Sequence, residues 1–254
     1  MNECFASGAT LPLAYHSALK KLYAAGTVVP CPDYNTDQLE CGMTMVVRMP
    51  LLEPRISRLI PCGPRELEQY RQEILDGILD FEIERGKWAY TYHSRMAEQL
   101  PFVIEELRRN PYSRRAVIDI RDWRYDSQTD SPACLQHIQF FIRHGCLHMK
   151  VTFRSNDAVK ATFMNAFALI CLQERIAGEL GVGVGMYTHR VNSFHAYEND
   201  WPLLKSYCER LAPHSPILKN EDSLTYGYKG EWDELMDDAK PDIAAMVNTL
   251  KTRE

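Results

Sequence analysis

Apolar residues recur at helical spacing in three stretches of the chain. The pattern predicts helices over residues 64–81, 101–109 and 158–180. The longest has one apolar face and is followed by a glycine, as helix ends often are; that face contains Val159, Phe163, Phe167, Ile170 and Leu180. The three polar residues before it, 155–157, offer side-chain caps for its first turn.

Other stretches alternate in polarity or are rich in β-branched residues, which is typical of strands. They predict strands over residues 43–49, 115–123, 135–143, 146–154 and 183–190. His144-Gly145 separates two of these, so we expect a hairpin there. Strand runs followed by a long helix favour an α/β (α+β) fold, in which helices pack on a mixed β-sheet.

The chain is long enough for one large hydrophobic core, and no repeat or linker-like tract divides its 254 residues. We therefore interpret residues 1–254 as one domain. Its predicted core is 64–205, flanked by an N-terminal part, 1–60, whose pattern predicts little, and by an acidic C-terminal extension, 215–254.

Composition excludes several classes of protein. The net charge of −5 does not favour a nucleic-acid polymer as partner, so any phosphate site must be local. No apolar run approaches the ~20 residues needed to cross a bilayer, and the first residues lack a secretory pattern, so we expect a cytoplasmic protein. The eight cysteines form no CxxC pair, so we expect reduced thiols and no metal site.

Candidate chemistry centres on Cys134, where a polar turn enters a predicted strand. A thiolate can add to an electron-poor carbon and later leave. Arg154 and Ser155 stand at a predicted strand end directly before the long helix, an arrangement that binds phosphate. Arg114 and Arg115 form a second basic pair. Taken singly, each feature also has an ordinary structural explanation. Cys134 could be a structural cysteine, Ser155 a helix cap, and the arginines solvated surface charges.

Taken together, these segments resemble the thymidylate synthase superfamily. The resemblance rests on SRR, TDSPACLQ, FRSND, MNAFAL and FHAY, read along the chain. The spacing of the motifs also agrees: Arg114 lies 20 residues before Cys134, and Arg154, Asn165 and His195 lie 20, 31 and 61 residues after it. Details such as YTYH and RSND are most similar to archaeal-type synthases.

The resemblance implies roles for individual residues. Cys134 would attack C6 of a pyrimidine nucleotide and so activate C5. The implied catalytic residues are Cys134, Glu66, Tyr92 and Asn165, with Asn165 also pairing with the base edge. The implied nucleotide ligands are Arg114, Arg115, Arg154, Ser155, His195 and Tyr197. Asp157 would bond the pterin ring of the co-substrate. Arginines near the thiol are expected to lower its pKa.

The resemblance also implies the reaction and the assembly. The expected reaction is reductive methylation of dUMP to dTMP, with 5,10-methylenetetrahydrofolate or methylene-tetrahydromethanopterin as the one-carbon donor. The expected assembly is a sheet-to-sheet homodimer, with Arg114 and Arg115 reaching the phosphate of the neighbouring subunit. A further phosphate arginine of the N-terminal part would be Arg48 or Arg55.

Two alternatives stay open at this stage. One is a 5-hydroxymethylase acting on dUMP, dCMP or CMP, in which water traps the one-carbon intermediate. It is kept because Leu135, Phe153 and the C-terminal LKTRE depart from the usual family pattern. The other is a non-catalytic relative that binds nucleotides or RNA, against which the filled nucleophile position argues.

Overall fold

A seven-stranded mixed β-sheet organises the computed structural model, which describes residues 1–212 and 224–252. Its strands are β1 (Glu3–Gly8), β2 (Thr27–Cys31), β3 (Thr36–Val47), β5 (Val117–Asp119), β6 (Leu135–Arg143), β7 (Cys146–Asp157) and β8 (Gly183–Tyr197). The order across the sheet is β1-β3-β8-β7-β6-β5, and β2 pairs with the first half of β3. β4 (Ile56–Ser57) and β9 (Thr225–Tyr226) form a separate two-stranded ribbon. The α/β prediction is confirmed.

Helices connect the strands and cover one face of the sheet. They are α1 (Leu11–Ala25), α2 (Pro64–Asp76), α3 (Phe81–Glu84), α4 (Tyr92–Met96), α5 (Leu100–Arg109), α6 (Trp123–Asp126), α7 (Thr162–Leu180), α8 (Trp201–Arg210) and α9 (Asp233–Thr252). α7 is buried along most of its length and packs on β7 and β8. The predicted helix at 101–109 is confirmed as α5.

The two faces of the sheet differ because side chains alternate along each strand. Residues that point toward the helices, such as Met45, Phe140 and Val151, are buried. Their neighbours on the other face, such as Val46, Phe141 and Lys150, are partly or fully exposed. One broad face of the sheet is therefore open to solvent in the single chain.

The hairpin predicted around His144 and Gly145 is confirmed. Both residues have positive φ, 52° and 72°, as a two-residue hairpin turn requires. β6 ends at residue 143 and β7 begins at residue 146, as the pattern predicts. β7 runs three residues further than expected.

Several predicted boundaries are wrong, and local features that interrupt the periodic pattern explain the first of them. The helix expected over 64–81 ends at residue 76, where Gly77 takes the left-handed conformation with φ 61°. The strand expected over 115–123 is only three residues long. Asp122 then accepts a hydrogen bond from the backbone of Arg124 and starts α6.

The helix expected from residue 158 begins instead at Thr162. The Asp157 carboxylate accepts hydrogen bonds from the backbone N–H groups of Val159 and Lys160, both at 2.8 Å, and holds a turn there. Ser155 therefore lies within a strand and does not cap the helix, whose first residue is seven positions further on. Likewise, the strand expected to end at residue 190 continues to Tyr197.

The two ends of the chain are richer in structure than their patterns indicate. Residues 1–60 contain four strands and one helix, and the strand predicted at 43–49 is the end of the longer β3. The acidic C-terminal extension predicted for 215–254 lies partly outside the described residues, and its described part contains α9. None of the helices described is both long and apolar enough to cross a membrane.

Candidate active site

Cys134 lies at the entrance to β6 and is held in place by Arg154 of the neighbouring strand. The backbone N–H of Arg154 donates to the carbonyl oxygen of Cys134 at 2.8 Å. The guanidinium donates to the carbonyls of Ala133 (3.1 Å) and Pro132 (2.8 Å), which precede the cysteine. Both side chains are half-buried. The sequence prediction that places these two residues together is therefore consistent with the geometry.

The pKa of the Cys134 thiol differs from the one expected from the sequence. Burial raises its pKa, because the charged thiolate loses solvation, and Arg154 only partly opposes that effect. The predicted lowering of the pKa by several arginines is wrong for the single chain. Burial is the larger effect on this pKa, and Arg154 is the one arginine that opposes it, because Arg114 and Arg115 do not approach the cysteine.

Tyr92 lies on the other side of the cysteine. Its hydroxyl accepts a hydrogen bond from the backbone N–H of Leu135, the residue after Cys134, at 3.2 Å. Burial raises the pKa of this phenol, and the nearby Cys134 raises it further. Tyr92 is thus a neutral group fixed against the start of the strand that follows Cys134.

Asn165 and Tyr70 form a part-buried pair that joins α7 to α2. The Tyr70 hydroxyl donates to the Asn165 side-chain oxygen, Oδ1, and the asparagine is 6% exposed. Burial raises the pKa of Tyr70 well above its ordinary value, and Tyr92 and Cys134 are among the groups that add to this effect. The four side chains of Cys134, Tyr92, Tyr70 and Asn165 therefore form one neighbourhood.

A cavity of about 520 Å³ opens beside this neighbourhood. Its lining is aromatic and polar: Tyr70, Glu73, Asp80, Lys87, Trp88, Tyr90, Tyr92, Thr129 and Ser131 are among its residues. Glu73 and Asp80 are half-buried carboxyl groups of this wall. Burial raises the pKa of Glu73, although a hydrogen bond from Gln69 opposes the effect.

The structure does not bring Glu66 to this cavity. Glu66 is exposed at the start of α2, where its Oε2 accepts the backbone N–H of Gly63 at 3.0 Å. This single bond caps the first turn of α2, since Gly63 has no side chain to return it, and it gives Glu66 a structural task. Tyr70 and Glu73 are three positions apart on the same helix, so their side chains share the face that lines the cavity.

Ser155, His195 and Tyr197 meet at the ends of β7 and β8. The Ser155 hydroxyl lies 3.3 Å from Nδ1 of His195, and the rings of His195 and Tyr197 contact edge to face at 4.8 Å. Nδ1 of His195 is also 3.1 Å from the Ser193 carbonyl. Nε2 of His195 is buried without a hydrogen-bond partner in the described structure. A buried ring nitrogen of this kind could bind a hydroxyl group.

Asp157 ends β7 directly opposite His195 in the strand register. One of its oxygens, Oδ1, is engaged by the turn described above. The carboxylate thus has a fixed orientation, which suits a group that would bond a heterocycle.

Arg114 and Arg115 are exposed and lie far from Cys134 within the same chain. The Phe140 N–H donates to the carbonyl of Ala116 at 2.9 Å, which places the pair beside the far half of β6. Six residues of strand separate Phe140 from Cys134, a distance of about 20 Å. An arginine side chain does not span that distance, so the pair cannot join Arg154 in its own subunit.

The two candidates for an N-terminal phosphate arginine differ in accessibility. Arg55 is 2% exposed, lies 4.6 Å from the Tyr228 ring centre and 5.8 Å from that of Phe167, and so is enclosed by aromatic side chains. Arg48 is exposed and donates to the Ser7 hydroxyl at 3.1 Å. Of the two, only Arg48 is accessible to a ligand.

Three residues of this site were not predicted from the sequence: Tyr70, Glu73 and Tyr90. The helical pattern assigns Tyr70 to the hydrophobic face of α2, and nothing in the pattern distinguishes a cavity wall from the core. Burial raises the pKa of Tyr90, and Cys134 adds to this effect, so Tyr90 also lies near the cysteine. In the portion of the chain that is described, no group of acidic, histidine and cysteine side chains could hold a metal ion.

The chain matches known proteins over much of its length. Residues 68–236 match the family model described as thymidylate synthase. A protein of Methanocaldococcus jannaschii named "Putative thymidylate synthase" is 34% identical over 206 residues, 76% of this chain and 91% of that protein. "Thymidylate synthase 1" of Bacillus subtilis is 30% identical over 168 residues, 64% of this chain and 58% of that protein. Thermostable thymidylate synthase A from Bacillus subtilis has a similar fold, with a TM-score of 0.64 at 17% identity over 85% of this chain and 94% of that one.

Proposed function

Because the chain belongs to the thymidylate synthase family, which supports one-carbon transfer to a pyrimidine nucleotide, we propose that it methylates dUMP reductively to dTMP. The observation that carries this proposal is the grouping of Cys134, Arg154, Tyr92 and Asn165 around one site beside a cavity. A thiol, a cation, a phenol and an amide are the groups this reaction requires.

Cys134 would begin the reaction by adding its thiolate to C6 of the base. The C5–C6 π bond breaks, and its electrons move toward C5 and O4, so that C5 becomes nucleophilic. After C5 has bonded to the one-carbon unit of the donor, it loses its proton and the carbon–nitrogen bond to the donor breaks, which leaves an exocyclic methylene group at C5. A hydride from the donor adds to that methylene as the sulfur leaves C6, and the C5–C6 double bond re-forms. Tyr92, which stays protonated, would orient the water that takes up the C5 proton.

We assign the carboxyl group that exchanges protons with O4 to Glu73 rather than to Glu66. Glu73 lines the cavity, and its raised pKa keeps the acid form available nearer neutrality. Glu66 faces solvent and closes a helix cap. An acid that donates to O4 as C6 is attacked, and takes the proton back later, balances the charge of both steps.

Arg154 and Ser155 would bind the 5′-phosphate, while His195 and Tyr197 would hold the sugar hydroxyl. The free Nε2 of His195 supports this assignment. Arg114 and Arg115 would serve the neighbouring subunit, because they lie too far from their own Cys134. The open sheet face supports a sheet-to-sheet homodimer. In that dimer, Arg114 and Arg115 of each subunit would complete the site of the other subunit.

The one-carbon donor would be 5,10-methylenetetrahydrofolate or methylene-tetrahydromethanopterin, bound as a co-substrate. It supplies the carbon and, for a methyl product, the hydride. The cavity fits a flat heterocycle, since Trp88 and Tyr90 offer ring faces and Asp157 is a candidate for its polar edge. A cytoplasmic location stays a prediction.

A 5-hydroxymethylase is the second candidate, favoured by the polar part of the cavity lining. Thr129, Ser131 and Asp80 could hold water near the reacting carbon. Water attack would give hydroxymethyl instead of methyl. The non-catalytic alternative lacks support, because the cysteine is embedded among reactive groups.

The decisive experiment incubates the enzyme with dUMP, dCMP or CMP and each of the two donors, and identifies the product by mass. A methylated uracil nucleotide, formed in step with dihydropterin, supports the proposal. A hydroxymethylated product without donor oxidation would replace it with the second candidate. Cys134→Ala serves as the control. It should bind nucleotide but form neither product nor the covalent adduct expected with 5-fluoro-dUMP.

A further inference from the structure

We propose that Tyr70 is the residue that fixes the orientation of the Asn165 amide and thereby sets the preference for uracil over cytosine. The inference rests on the proposed function, in which Asn165 contacts the base. The observation behind it is the hydrogen bond from the Tyr70 hydroxyl to Oδ1 of Asn165, which is part-buried and joins α2 to α7.

An asparagine amide alone cannot choose between the two bases. Its donor and acceptor ends are similar in shape, so a rotation of the amide by half a turn exchanges them. One orientation offers Nδ2 to O4 of uracil and Oδ1 to N3–H. The other offers Oδ1 to the amino group of cytosine and Nδ2 to its N3. Selectivity therefore requires a second group that holds one orientation.

Tyr70 is such a group. Within the described residues, Oδ1 of Asn165 is the one acceptor that the hydroxyl reaches. Rotation of the amide would turn Nδ2–H toward the hydroxyl oxygen, which can accept it, but the phenol proton would then lose the acceptor that it has among the described residues. An unpaired buried donor disfavours that state by about ten- to a hundredfold. Because burial strongly raises the pKa of Tyr70, the hydroxyl remains a donor at physiological pH.

The free atoms of the amide fit uracil. Oδ1 keeps a second lone pair for N3–H, and Nδ2 makes no hydrogen bond to any described residue, so it can donate to O4. Tyr70 does not need to touch the base. It is a positioning residue that acts through Asn165.

The test compares kcat/KM for dUMP and dCMP in Tyr70→Phe and in the wild type. The ratio of kcat/KM for dUMP to that for dCMP should fall about tenfold or more in Tyr70→Phe. Part of the change should come from improved turnover of dCMP. Tyr207→Phe is the matched control, because it removes another buried phenol, on α8, whose charged neighbours include neither Tyr70 nor Asn165. Its ratio should stay at the wild-type value.

A double-mutant cycle separates orientation from general damage. In an Asn165→Asp background the two side-chain oxygens are equivalent, so there is no orientation to fix. Adding Tyr70→Phe should then leave the ratio of kcat/KM for dUMP to that for dCMP within about twofold of its value in Asn165→Asp alone. An equal effect of Tyr70→Phe in both backgrounds would overturn the inference.

A second route serves if Tyr70→Phe does not fold. 3,5-Difluorotyrosine at position 70 keeps the ring and hydroxyl but titrates at lower pH. Its phenolate only accepts hydrogen bonds, so the dUMP preference should decline as pH rises, in contrast to the wild type. A ratio independent of pH would contradict the inference.

If the wild type neither binds nor converts pyrimidine nucleotides, the proposed function fails first, and that result is distinct from an unchanged ratio in an active variant.

Discussion

The backbone N–H of Arg154 donates to the carbonyl of Cys134 at 2.8 Å, so the cation on β7 and the thiol at the entrance to β6 are fixed side by side. Residues 20 positions apart in the sequence thus become adjacent through one ladder of the sheet. Arg154 is also the charge that opposes the effect of burial on the thiol pKa. This pairing gives the first prediction.

Alkylation of Cys134 by iodoacetamide should accelerate with pH around an apparent pKa above that of an ordinary cysteine. Burial disfavours the thiolate, so the reactive form appears only at higher pH. Replacing Arg154 with Ala removes the opposing charge and should move the profile to still higher pH. Mass mapping of the modified peptide would check the site. An unchanged profile in the variant would mean that Arg154 does not act on the thiol.

Glu73→Gln should lower kcat by about a hundredfold or more, because the amide cannot exchange a proton with the base. Glu66→Gln is its counterpart on the same helix. It should keep kcat within about twofold, as exposed substitutions usually do, while thermal unfolding shows a small loss from the weakened cap. The reverse order of effects would return the catalytic assignment to Glu66.

Mixing Arg115→Ala and Cys134→Ala chains should restore activity that neither has alone. Random exchange makes half of the dimers mixed, and each mixed dimer has one intact site, so about a quarter of wild-type activity is expected. Subunit exchange under mild denaturant followed by a turnover assay measures this. An active monomer in sedimentation, or no recovery after proven exchange, would contradict the shared site.

Asn165→Asp should shift the preference from dUMP toward dCMP by at least about tenfold. A carboxylate accepts from the cytosine amino group but cannot donate to O4 of uracil. The measurement is kcat/KM for each nucleotide on both proteins. If the wild type already prefers dCMP, Asn165 does not read the base as proposed.

The sequence alone determined the parts of this protein that depend on local pattern and on motif spacing. The hairpin at 144–145, helix α5, the body of α7 and the α/β class follow from periodicity, because one buried face dictates which positions are apolar. The family followed from the spacing of the motifs around Cys134. Boundaries such as Gly77 and Asp157 were missed, since one residue's backbone geometry or side-chain bond outweighs the pattern.

Only the tertiary structure decided which polar side chains share a cavity and how burial alters their chemistry. The motif pattern assigned a catalytic task to Glu66, yet Glu73, two helical turns later, lines the cavity. Neighbouring arginines predicted an acidic thiol, yet burial raises its pKa. The physical reason is that solvation and pairing depend on contacts across distant segments, such as Tyr70 with Asn165, and no local pattern contains them.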